Sequence, residues 1–256
     1  MSGEPLFLAD DDSGRIAAYL RVLRGLPAEP RWVLVGGLAV NIRLGRVHRA
    51  TNDVDTVSED QPRLVELLVA NSEDATKLSA GKVRLRDPEV EVDVMSSTEG
   101  EVLPTEESAR SFALVRRWTM RSATKLSLGS VAPDGSVTEE VEAEVASRPA
   151  LVALKAVSIP RRKEGSYPEK VGSDIQDLYR LVEGLDLDVL LAELDTLETE
   201  ARQWIAGVLT TTFSDKELRY AAMRMHRFAA NVDSEGIAEG DLALLAELGA
   251  ALADKP

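Results

Sequence analysis

The chain has no cysteine among its 256 residues, which excludes disulfides and thiolate metal sites alike. It also has no apolar run near the roughly 20 residues that a bilayer-spanning helix needs, so membrane insertion is not expected. The opening MSGEPLFLADDDSG has neither the basic start nor the long apolar stretch of a secretory signal, and a cytoplasmic setting is the expectation. Positive charge is scarce, with a formal net charge of -14. A protein that coats nucleic acid non-specifically needs a strongly cationic surface and is therefore excluded, although a local basic groove is not. The deficit is uneven: residues 181–256 carry 15 acids against 6 bases, net -9, which leaves -5 for the first 180 residues. A hydrophobic fraction of 44% and a charged fraction of 29% are ordinary for a globular protein. The length allows two modest cores, since domains usually run to about 100–200 residues.

Patterning divides the chain. Ile16, Tyr19, Leu20 and Leu23 recur at helical spacing after Asp11, Asp12 and Ser13, which are expected to cap an opening helix over 14–26. WVLVGG followed by LAVNIRLG reads as strand, tight turn and helix, a junction at which phosphates often bind. DVDTVS reads as a strand, QPRLVELLVANS as a helix, and KVRLRDPEVEVDVMSS as two strands joined by a turn at Asp87 and Pro88. FALV, KLSL and SVTEEVEAEV are expected to be further strands within 111–147. From Pro149 onward every segment has helical spacing, and RRKEGSYPEKVG is expected to be a mobile loop. The expected fold is therefore α/β (α+β), with a small mixed-sheet domain over 1–147 followed by a helical bundle over 148–256.

The residues that carry chemistry lie early. Gly36 and Gly37 end a strand where a side chain would block a phosphate, and the helix that follows turns its first N–H groups toward the anion. Asp53 and Asp55 sit two apart on a strand and so share a face, as two ligands of a hard cation must. Asp93 alternates with Val90, Val92 and Val94 and shares a face with Glu91. Three carboxylates at one end of a sheet can hold two Mg²⁺ about 3.5–4 Å apart, the arrangement used for in-line phosphoryl displacement. Singly, an Asp-x-Asp in a turn, a Gly-Gly at a strand end or an Asp on an exposed strand is ordinary; the order of all three points to chemistry.

VLVGGLAVNIRLGRVHRATNDVD with VEVDVM resembles the DNA polymerase β-type nucleotidyltransferase superfamily over roughly residues 30–96. Gly36, Gly37, Asp53, Asp55 and Asp93 match its pattern, and the resemblance implies a metal-dependent enzyme that uses Mg²⁺, or Mn²⁺, and an NTP. ALVALKAVSIPRR with SDIQDLYRLV is similar to the C-terminal signature of AbiEii-like, MenT-type toxin nucleotidyltransferases. The Arg-x-Thr-x-Asp-x-Asp segment fits that family as Arg49, Thr51, Asp53 and Asp55. Its lysine would fall on Lys155 and its late acid on Asp174 or Asp177, although Ser173 stands where the family more often has Lys or Arg. An ammonium at a cleft can neutralise β- and γ-phosphate charge, whereas most helical lysines snorkel to solvent.

These resemblances imply transfer of NMP to an acceptor hydroxyl, the family's acceptor being the 3′ end of tRNA, and a cognate antitoxin as partner. The alternatives are a small-molecule acceptor of the aminoglycoside kind, which an acidic surface suits, a protein hydroxyl, and a binding module that has lost its chemistry. The last would be marked by a missing carboxylate, and all three are present. Arg43, Arg46, Arg49, Arg116, Arg117, Arg121, Lys125, Arg161, Arg162 and Lys163 are candidates for an acceptor groove. His48 and His226 are read as structural, because a bound cation acidifies the attacking hydroxyl without a general base.

Overall fold

A computed structural model describes residues 5–97, 100–164, 170–228 and 236–254. The chain divides into two compact units, 1–101 with 119–147, and 102–118 with 148–256. Residues 102–118, in the first of the two segments marked off by sequence, thus fall in the second unit.

The first unit holds one eight-stranded mixed sheet. Its strands are β1 (Leu6–Ala9), β2 (Trp32–Val35), β3 (Asp53–Ser58), β4 (Thr76–Ser79), β5 (Lys82–Arg86), β6 (Glu89–Ser96), β7 (Thr124–Val131) and β8 (Val137–Val145). They lie in the order β1-β7-β8-β2-β3-β6-β5-β4. The central strand β2 is apolar throughout because Val33, Leu34 and Val35 are all buried, as a strand covered on both faces requires. In β6 Val90, Val92 and Val94 are buried while Glu91 and Asp93 on the other face are only half-buried, so alternation decides which side chains reach the chemistry. Helices α1 (Arg15–Gly25), α2 (Gly36–Leu44) and α3 (Gln61–Ala70) pack on the sheet.

The cap of α1 differs from expectation. Gly14 is its N-cap, in the left-handed region at φ 64°, with no side-chain cap. Asp10 serves instead, accepting from the backbone N–H of Ile16 at 3.0 Å and of Ala17 at 2.8 Å. Asp11 bonds the Ser13 N–H and is thereby engaged in the turn.

FALV is not a strand. Residues 112–115 lie inside α4 (Glu107–Ser122), whose buried residues include Ser111, Leu114, Val115 and Trp118 at helical spacing. A four-residue apolar run fits either period, and only the amphipathic flanks on both sides settle it. β1 and β4 are additions; β1 pairs in parallel with β7, a partner more than 100 residues away in sequence.

The second unit is helical, as the spacing after Pro149 predicts. It comprises most of α4 with α5 (Arg148–Glu164), α6 (Lys170–Val182), α7 (Leu187–Leu194), α8 (Thr199–Thr212), α9 (Leu218–Phe228) and α10 (Ala243–Ala253), the last preceded by a short 3-10 turn. Leu151, Ile159, Ile175, Leu178, Ile205, Leu209, Leu245 and Leu248 form its core. Arg148 fastens α5 to the end of α6 by donating to the carbonyls of Arg180, Leu181 and Glu183. The segment expected to be a mobile loop is helical at both ends, through Glu164 and again from Lys170; its residues 165–169 lie outside the described residues. Among the described residues no helix is long and apolar enough to cross a membrane.

Candidate active site

The first unit brings together Asp53, Asp55 and Asp93. β3 and β6 run parallel in a register that sets Asp53 beside Glu91 and Asp55 beside Asp93. One carboxylate oxygen from each aspartate lies within 4.8 Å of the other two, and all three side chains are half-buried. An all-oxygen carboxylate set suits a hard divalent cation, and the donor atoms are close enough to share one.

β2 lies on the other side of β3, with Val35 opposite Asp55. α2 begins immediately afterwards at Gly36, behind the apolar N-cap Val35, which provides no side-chain acceptor for the helix's first N–H groups. Gly36 must be glycine for two reasons. Its φ is 69°, and a Cβ there would overlap the Asp55 carboxylate. Gly37 is crowded too, since a Cβ would lie 2.8 Å from Arg49 Nη2 and 3.0 Å from Thr51 Oγ1. Arg49 and Thr51 therefore reach the start of α2. Thr51 Oγ1 donates to Asp53 Oδ1 at 3.2 Å, and the Thr51 carbonyl accepts from the buried Tyr19 hydroxyl. Burial pushes the Tyr19 phenol up to about 12, so it remains a neutral donor.

Gly36→Ala should accordingly reduce divalent-cation affinity by roughly tenfold, as a displaced supporting contact does at metal sites. Calorimetric titration with Mn²⁺ checks this; unchanged affinity would mean that Asp55 is free to move.

The strand pair β5–β6 supplies cations that the sequence reading did not select. Lys82 Nζ lies 3.0 Å from Glu91 Oε2 and 3.1 Å from Asp93 Oδ2. Arg84 Nη2 lies 2.5 Å from Glu91 Oε1. Burial opposes the charge on Lys82, but hydrogen bonds to Glu91 and Asp93 outweigh it and raise the lysine's pKa. The bonds from Arg84 and Lys82 in turn hold the Glu91 carboxyl below its ordinary range. Glu91 thus faces two cations while the three aspartates form the cluster. The signal was in the sequence: a hairpin turning at Asp87 and Pro88 aligns Lys82 with Asp93 and Arg84 with Glu91.

In the second unit Lys155, Asp174 and Asp177 form a buried group. Lys155 Nζ is 2.9 Å from Asp174 Oδ1 and 2.6 Å from Asp177 Oδ2, and the three side chains are at most 8% exposed. Arg162 Nε adds a contact to Asp174 Oδ2 at 2.6 Å. Both aspartates bind the lysine, so neither is singled out.

Several cations considered for an acceptor groove have structural partners. Arg43 donates to the carbonyls of Val145 and Ala146, tying α2 to the end of β8. Lys125 pairs with Glu142 at 2.6 Å. Arg116 and Arg161 lie over the Phe112 ring at 4.8 and 5.1 Å. The side chain of Lys163 lies outside the described residues. His48 is 4% exposed with Nδ1 2.6 Å from Asn41 Oδ1, in keeping with a structural role.

The model of the nucleotidyl transferase AbiEii toxins, of type IV toxin–antitoxin systems, matches residues 21–249. The chain belongs to this family. It is accordingly a nucleotidyltransferase, and the AbiEii match spans both the aspartate cluster and the Lys155 group. No curated protein matches the chain. Two solved structures are similar to it at low identity. One is an antigenic nucleotidyltransferase-like protein from Paracoccidioides brasiliensis, 18% identical with a TM-score of 0.42, covering 82% of this chain and 90% of that one. The other is the antibiotic-resistance factor ANT(2'')-Ia, 16% identical with a TM-score of 0.43, covering 84% of this chain and 98% of that one.

Proposed function

We propose that the chain is a MenT-type toxin that transfers NMP from an NTP to the 3′-terminal hydroxyl of tRNA in the cytoplasm and is restrained by a cognate antitoxin. The observation that carries this is the convergence of Asp53, Asp55 and Asp93 beside the glycine-led start of α2, in a chain of the AbiEii family.

Asp53, Asp55 and Asp93 would hold Mg²⁺, with Mn²⁺ as substitute, and the bound cation supplies Lewis acidity at the phosphates and acidifies the attacking hydroxyl. The N–H groups at the start of α2 donate to phosphate oxygens, and Arg49 adds a guanidinium whose fork suits a phosphate edge. Thr51 keeps Asp53 oriented through its hydroxyl. Within the second unit, Lys155, Asp174 and Asp177 are assigned as a functional group of the family, the two carboxylates holding the lysine's ammonium. A bond forms between the acceptor oxygen and the α-phosphorus while the α–β anhydride bond breaks. Pyrophosphate leaves with the anhydride electrons, and the hydroxyl proton passes to water. The acidic balance of the chain does not oppose an RNA acceptor, because recognition needs only a local basic track.

Expression in bacteria without an antitoxin tests the reading. Wild-type protein should arrest growth and leave tRNA 3′ ends extended, and Asp53→Ala should do neither. Growth unaffected, with raised tolerance to an aminoglycoside, would overturn it in favour of a small-molecule acceptor.

A further inference from the structure

The face of the sheet that carries the aspartate cluster does not end at β6. Lys82, Arg84 and Arg86 alternate along β5 and, by register, stand opposite Asp93, Glu91 and Glu89. Rows therefore cross the sheet from acid to cation: Asp55, Asp93, Lys82, and next to it Asp53, Glu91, Arg84. Beyond Arg84 comes Thr76 on β4.

Lys82 and Arg84 are ion-paired within these rows, but Arg86 is not. It is exposed and makes neither an ion pair nor a side-chain hydrogen bond among the described residues. Glu89, across from it, likewise forms no ion pair among the described residues. Both line a polar cavity of about 460 Å³ together with Arg84 and Thr76. The cavity offers an anion the guanidinium of Arg86 and the hydroxyl of Thr76, beside Arg84, whose Nε and Nη2 are held by Glu91, and one carboxylate that would repel an anion but accept from a hydroxyl or amine. A bare anion does not suit that mixture. A nucleotide does, with its phosphate on Arg86 and its sugar hydroxyl or base amine on Glu89.

We propose that this cavity holds a backbone nucleotide of the RNA acceptor, upstream of the terminal hydroxyl that reaches the aspartates. The inference rests on the reading that the acceptor is RNA. The two are joined by position: Lys82 touches Asp93, Arg84 stands in the row of Asp53, and Arg86 lies one further two-residue step, about 6.8 Å, along the same strand.

The test uses the full chain, a fluorescent single-stranded RNA with a free 3′ hydroxyl, and separately a fluorescent NTP with Mg²⁺. Arg86→Ala should weaken RNA binding about fivefold and lower the salt slope by about 0.7, the loss of one phosphate contact on a single strand. Arg86→Lys should restore most of the slope, and NTP binding should be unchanged in both. Because Arg86 is exposed, an unaltered melting temperature shows that folding is intact. RNA affinity and slope equal to wild type in Arg86→Ala overturn the proposal. So does a matching loss of NTP binding, which would assign the cavity to the triphosphate. Wild-type protein that binds NTP but no RNA also overturns it, leaving nucleotidyl transfer to another acceptor intact; failure to bind NTP at all would instead count against the proposed function.

Discussion

Asp55→Ala should lower nucleotidyl transfer by on the order of 10³-fold or more, because the centre loses a charged ligand at the point where transition-state charge must be balanced. Asp55 sits where two strands and the start of α2 meet. It stands opposite Val35 at the strand end, beside Asp93 on the next strand, and under Gly36 at the start of α2. Stability should not fall in parallel. Three carboxylates within 4.8 Å repel one another when no cation is bound, so removing one relieves like-charge crowding. The expected pattern is a collapse of kcat with a melting temperature in chelator that is unchanged or higher. A loss below tenfold would contradict the assignment of Asp55 as a ligand, and a large fall in melting temperature would make its role structural.

Lys155→Met should behave in the opposite way, with a large effect on stability as well as on activity. The lysine is 8% exposed between two aspartates that are themselves buried, and removing one partner of a buried ion pair costs about 3–5 kcal/mol through the charge left behind. For a domain of this size that corresponds to a fall in melting temperature of roughly 10 °C. Asp174 retains Arg162 at 2.6 Å, so adding Asp177→Asn to Lys155→Met should cost less than the two single changes summed. A catalytic role is separated from the structural one by single-turnover transfer at low temperature, where Lys155→Met remains folded. Transfer restored to the wild-type rate would show the lysine to be structural alone.

The sequence was most legible where local pattern and chemistry coincide. An apolar run, two glycines and a helical period located β2 and α2; the two-residue spacing of Asp53 and Asp55 and the valine alternation around Asp93 put three carboxylates on strand faces that the parallel pairing of β3 and β6 joins into one face of the sheet. The helical half was legible from period alone. What escaped depends on distant partners. β1 is four residues long and acquires its strand conformation from β7, and FALV carries too little period to reveal that it belongs to a 16-residue helix. The cap on α1 moved from the Asp11–Ser13 segment to Asp10 because Gly14 turns the chain with a positive φ, which directs the Asp10 carboxylate onto the first N–H groups. The cations of β5 are legible only through hairpin register, which places Lys82 and Arg84 against the acids of β6. Lys155 does not snorkel to solvent as most helical lysines do; two buried aspartates one turn apart on α6 hold its ammonium.

The most direct test is incubation of purified protein with Mg²⁺, each α-labelled NTP in turn and total bacterial tRNA, with Asp55→Ala alongside. Label transferred to tRNA by the wild type alone, lost when the 3′ hydroxyl is oxidised beforehand, is the result expected. No label on tRNA with any NTP would contradict the account of this protein as a tRNA nucleotidyltransferase.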